Sequence, residues 1–164
     1  MKKIYLLIMI VTVTFGCDNK NESRIERRYF ENVALTLPED NPGAYVEWEQ
    51  GDKTAIVFSY QHEDDKNISD DELTELLYIE IPRDISEFDI DLAANQIESE
   101  IAVYFVHSCF CYFEEPFTFI KKEISGKKVS NNQWNVSFDI IAEFDGREYP
   151  LKDTGTYVLS SFEN

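Results

Sequence analysis

Cysteine and histidine are scarce in this 164-residue chain, three and two residues, so the place where they gather stands out. Cys109-Phe110-Cys111 follows His107 by two positions. On a strand, residues two apart face the same way with Cα atoms roughly 7 Å apart, which puts all three side chains on one face. That separation is at the outer limit for a disulfide, so a bond between the cysteines requires a bulge or bend. The pair lacks the two intervening residues of a CxxC redox site, and no second pair exists to complete a structural zinc site. A strand also spaces the three side chains poorly around one small ion. The expectation is two small apolar residues in a core strand, with no metal and no cofactor. His62 stands beside Glu63-Asp64-Asp65 in a polar stretch that reads as a surface loop. No G-x-S-x-G elbow nominates a nucleophilic serine, so no catalytic residue is assigned.

Carboxylates are the other candidates for chemistry. The stretch from His62 to Glu72 carries Glu63, Asp64, Asp65, Asp70, Asp71 and Glu72, hard oxygen ligands that suit calcium. Lys66 and Ile68 fall where an EF-hand needs ligands, and a solvated acidic loop is the simpler reading. Asp89 and Asp91 share one strand face, as do Asp139 and Glu143. Across a cleft, such pairs serve general acid/base catalysis, which makes a hydrolase using paired carboxylates the enzymatic alternative. Aromatic residues are abundant, with 12 Phe, 9 Tyr and 2 Trp. Tyr45, Trp48 and Phe117 are the candidate ligand-binding residues. Trp134 heads a regular apolar face and is assigned to the core. Phe113, Phe117 and Phe119 flank Glu114-Glu115-Pro116, a loop expected to expose a hydrophobic tip.

The N-terminus carries an address. Lys2 and Lys3 precede an uncharged run of 13 residues, Ile4 to Gly16, too short to span a bilayer and ending at Cys17 and Asp18. This is the pattern of a secretory signal peptide. Thr14-Phe15-Gly16-Cys17 resembles the lipobox of bacterial lipoproteins, with Gly16 before the cysteine. Thr14 and Phe15 depart from the usual aliphatic and small residues, as in the relaxed lipoboxes of the Bacteroidetes. The resemblance implies a diacylglycerol on Cys17, cleavage before it, and a lipid anchor in the cell envelope, at the outer membrane rather than the inner. It sets a signal peptide over 1–16; the polar residues that follow read as a lipidated tether over 17–27, and the strand pattern beyond them as one β-sandwich domain over 28–164.

The elements that must position these residues follow a period of two. Val33, Leu35 and Leu37 alternate before the turn cluster Pro38-Glu39-Asp40-Asn41-Pro42-Gly43. Tyr45–Glu49 and Thr54–Tyr60 read as two strands of a hairpin around Gly51-Asp52. Leu76–Ile81 and Phe88–Leu92 are further strands. Ala93–Glu100 reads as a short helix or loop, Ile101–Phe113 as a strand bent at Ser108, and Phe117–Ile124 as a strand ending at Ser125-Gly126. Trp134, Val136, Phe138, Ile140, Ala142 and Phe144 define one face of a long strand, and Asp145-Gly146 turns it back through Tyr149 and Leu151. Gly155–Phe162 closes the chain. About nine or ten short strands imply an all-β antiparallel sandwich, with a closed or partly open β-barrel as the alternative. The C-terminal pattern also resembles small Bacteroidetes lipoproteins that carry β-sandwiches.

Charge narrows the partners. The chain holds 15 basic and 32 acidic residues, and removing Lys2 and Lys3 leaves 13 against 32, a charge of −19. Such a surface repels phosphate backbones, which excludes nucleic acid. The expectation is a non-catalytic binding or structural module, attached to the membrane through its N-terminal lipid. Its partner would be a glycan, a peptide or an envelope protein. A barrel-type carrier of a small apolar ligand is the third reading.

Overall fold

The computed structural model describes residues 23–63, 73–91, 100–109 and 111–161. Cys17, most of the acidic loop, nearly all of Ala93–Glu100 and Phe162 lie outside the described residues. Eight strands follow in order: β1 (Arg24–Thr36), β2 (Glu47–Gln61), β3 (Thr74–Pro82), β4 (Glu87–Asp91), β5 (Ala102–Ser108), β6 (Thr118–Ser130), β7 (Gln133–Phe144) and β8 (Arg147–Leu159). They form one sheet in the order β4-β6-β7-β8-β1-β2-β3-β5 that does not close into a barrel. Every pairing is antiparallel except β1 with β8, which run parallel through Arg28–Val158 and Tyr29–Leu159. The two halves of the sheet face each other across that junction, as a sandwich.

The core between the halves is apolar and aromatic. Tyr29, Ile56, Phe58, Leu77, Ile79 and Phe105 come from one half; Ile124, Trp134, Phe138, Ile140 and Tyr157 come from the other. Phe58 meets Phe138 edge-on, ring centroids 5.1 Å apart. The alternation in β7 emerges as expected, with Trp134, Val136, Phe138, Ile140 and Ala142 all buried. The Asp145-Gly146 turn has φ of 51° and 72°, the left-handed pair that a two-residue hairpin requires.

Three local expectations are corrected. Gly51-Asp52 is not a turn, because β2 runs through it as one strand, with Val33 opposite both Gln50 and Lys53. The break in alternation there belongs to a β-bulge, which shifts parity just as a turn would. Ser125-Gly126 likewise lies inside continuous β6; Gly126 is there because Phe88 of β4 occupies the space its Cβ would fill. The strands expected on either side of Lys152 are one, β8, with Leu151 and Tyr157 on the same buried face. At the N-terminus β1 begins at Arg24, within the range assigned to the tether, and Arg24–Arg27 pair with Phe58–Gln61. Arg27 is fixed there by a two-pronged ion pair with Asp153, at 2.6 and 2.7 Å.

Candidate functional site

A second apolar cluster lies on the outer side of the sheet, where a sandwich normally meets water. Its origin is the bulge. Asn32 takes a left-handed φ of 62°, and beyond it Val33 and Leu35 join the outer cluster while Tyr29 faces the inner core. The end of β1 and the start of β2 form a ribbon laid against the outer face of β3 and β5. Leu35 N–H donates to the Glu80 carboxylate of β3 at 2.7 Å, and the Tyr104 hydroxyl of β5 donates to Leu35 C=O at 3.5 Å. Burial raises the pKa of Tyr104, with Glu80 adding to it, and burial pushes Tyr78 up to about 12. Both phenols therefore stay neutral at any physiological pH.

Where this ribbon meets the sheet, apolar side chains remain half-buried: Phe30, Trp48, Val57, Leu76 and Tyr104. Trp48 is central. Its ring stands edge-on to Phe30 at 5.1 Å and to Tyr78 at 5.8 Å, so its orientation is fixed by two aromatic neighbours. Arg28 lies beside Val57 in the register and pairs with Glu26 at 2.5 Å, giving the crease a charged rim. A partly exposed indole with a guanidinium–carboxylate rim can stack on an apolar ring face and hydrogen-bond the groups around it.

The other expected ligand-binding residues do not join Trp48. Tyr45 is 42% exposed in the connection before β2, its hydroxyl donating to Asp40 at 3.3 Å. Phe117 is buried at an inner end of the sandwich, against Phe105, Phe113, Phe144 and Tyr149. Its assignment to a binding surface is corrected to a core role. The exposed tip of that loop is Tyr112, at 69%.

That inner end holds an arrangement that the sequence reading missed. Glu75 of β3 pairs in register with His107 of β5, both facing inward. His107 Nε2 lies 3.3 Å and His62 Nε2 3.4 Å from the two oxygens of Glu75, at ion-pair distance but without the alignment of a hydrogen bond. Burial raises the Glu75 pKa, and the two imidazoles more than offset it, leaving the carboxyl below its ordinary value of 4.5. Aromatic rings enclose His107, the nearest being Tyr149 at 4.6 Å. The signal was parity: Glu75 shares the face of Leu77, Ile79 and Ile81. Starting the strand at Leu76 hides it.

Cys109 and Cys111 form a disulfide, which corrects the reading of two unpaired core thiols. Strand β5 ends at Ser108, so the cysteines lie beyond it and their Cα atoms approach to 5.1 Å. Among the described residues no group of three or more His, Cys, Asp or Glu side chains is arranged to hold a metal. Both members of the Asp139 and Glu143 pair are engaged elsewhere. Asp139 accepts from Lys121 at 2.8 Å and Lys152 at 2.6 Å, and these lysines lower its pKa. That is the opposite of what a general acid needs. Glu143 accepts from Gly146 N–H at 2.5 Å and from the Thr118 hydroxyl at 3.2 Å, closing the hairpin. Comparison with protein-family models, with curated proteins and with solved structures gives no match to this chain.

Proposed function

We propose that this chain is a lipid-anchored module of the bacterial cell envelope that binds an uncharged glycan without transforming it. The reading rests on one observation, the half-buried aromatic crease of Phe30, Trp48 and Tyr104 on the outer sheet face, beside the Arg28–Glu26 rim. A sugar ring offers C–H faces for stacking on an indole and hydroxyls for a charged, planar rim. The strong negative charge of the chain disfavours acidic polysaccharides, which leaves neutral ones. The lipobox-like segment ending at Cys17 supports a location at the envelope, the outer membrane by preference, where such glycans are met.

The test is binding of the full chain to neutral β-linked oligosaccharides of glucose, xylose and N-acetylglucosamine, alongside Trp48→Ala. The reading predicts binding to at least one of these and a loss of about tenfold or more in the variant, consistent with removal of an aromatic anchor. No binding to any of them, or binding indifferent to Trp48, would refute it.

A further inference from the structure

We propose that the Cys109–Cys111 disulfide is redox-active and oxidises dithiol segments of exported proteins, with a preference for cationic ones. Its construction has little value as a staple, since a bond across a separation of two residues takes little freedom from the unfolded chain. The flanking chain is already held without it. On one side the β5 ladder pairs Ser108 with Thr74 and His107 with Glu75. On the other, the Asn41 side chain accepts from Phe113 N–H at 2.8 Å and donates to Cys111 C=O at 3.2 Å. The cysteines therefore keep their places when the bond opens, as a redox pair requires.

The two sulfurs are not equivalent. Cys111 is exposed, whereas Cys109 is partly buried against the core. A substrate thiolate attacks Cys111 Sγ; the Cys109–Cys111 bond breaks, a substrate–Cys111 bond forms, and the electron pair leaves on Cys109 Sγ. That sulfur takes a proton from water and, as a thiol, donates to His107 C=O, 3.8 Å away. This contact becomes a hydrogen bond only in the reduced form. The second substrate thiolate then attacks the substrate sulfur of the mixed disulfide and releases Cys111. The substrate is oxidised by two electrons, the cysteine pair is reduced by two, and a small-molecule disulfide restores it by the same exchange.

Tyr112, the residue after Cys111, lines an open depression of about 420 Å³ together with Glu114, Glu115, Pro116, Glu143 and Asp145. Four carboxylates in one depression favour a positively charged segment.

The experiment uses the oxidised full chain and two synthetic dithiol peptides, one with lysines flanking its cysteines and one with glutamates. Acid quenching, alkylation and mass measurement read the transfer. One equivalent of peptide disulfide should form per protein dithiol, about tenfold faster for the lysine peptide at low salt, and the two rates should converge at high salt. Cys109→Ser, with Cys111 activated by a thionitrobenzoate leaving group, should retain peptide as a mixed disulfide; Cys111→Ser, loaded in the same way at Cys109, should react at least tenfold more slowly. Unchanged far-ultraviolet circular dichroism verifies that both variants fold. The proposal is overturned if the cysteines resist reduction by either peptide, if they do not pair on exposure to a small-molecule disulfide, if charge has no effect on the rate, or if Cys109 is the more reactive sulfur.

Discussion

Gly51 is the residue on which the outer crease depends, and replacing it with alanine tests that dependence. A Cβ at Gly51 would lie 2.7 Å from the Ala34 Cβ and 2.8 Å from the carbonyl carbon and oxygen of Val33. Two of those three atoms are backbone of the facing strand, so no side-chain rotation relieves the contact; the ribbon itself must shift. Overpacking of this kind costs roughly 1–3 kcal/mol, while the reduced freedom of the unfolded alanine chain returns about 0.4–1 kcal/mol. The net loss is about 1–2 kcal/mol, which for a chain of this length lowers Tm by roughly 2–8 °C in differential scanning calorimetry. The displaced ribbon carries Trp48, so its fluorescence should also shift to the red; Trp134, only 1% exposed, contributes a constant background. Gly146→Ala is the control. It meets nothing within 4 Å but has a φ of +72°, so it should cost stability through the backbone alone and leave the Trp48 emission unmoved. A Gly51→Ala protein with unchanged Tm and unchanged emission would refute the claim that the bulge holds the crease.

Other predictions concern the core, the buried carboxylate and the anchor. Phe138→Ala should destabilise by about 3–5 kcal/mol in urea titrations, because it empties the contact with Phe58 where the two halves meet. Because the folded pKa of Glu75 is lowered, its contribution to stability is present above its unfolded value and is lost as pH falls through the folded one. Melting curves from neutral to acid pH should therefore show part of the acid loss of stability missing in Glu75→Gln, whose stability at neutral pH is reduced; parallel curves would contradict this. Intact mass of membrane-extracted protein should show an acylated N-terminal Cys17, and Cys17→Ala should abolish both the acylation and membrane retention. An unmodified chain cleaved elsewhere would overturn the anchor.

The inner face of the fold was legible because alternation is a direct consequence of a strand with one buried side. Trp134 through Ala142, Leu77 through Ile81, and Phe88 with Ile90 all emerge buried as their spacing implies. Parity is silent about continuity, which is why a bulge at Gly51 reads like a turn and β8 reads like two strands. It is equally silent about which strands become neighbours. The approach of Glu75 to His107 depends on β5 pairing with β3, and β4, which lies between them in the chain, is at the far edge of the sheet. Phe117 and Trp48 look alike as aromatic residues of short strands, but one is enclosed by the fold and the other half-exposed by the ribbon.

Fluorescence of Trp48 during titration with the neutral oligosaccharides reports directly on whether the outer crease binds sugar. Stacking of a sugar ring on a half-exposed indole removes water from it, so the account predicts a saturable blue shift in the full chain. The shift should vanish in Trp48→Phe, where only the buried Trp134 emits. A titration that binds sugar without moving the Trp48 emission, or one in which the shift survives in Trp48→Phe, would contradict the assignment of this crease as the binding surface.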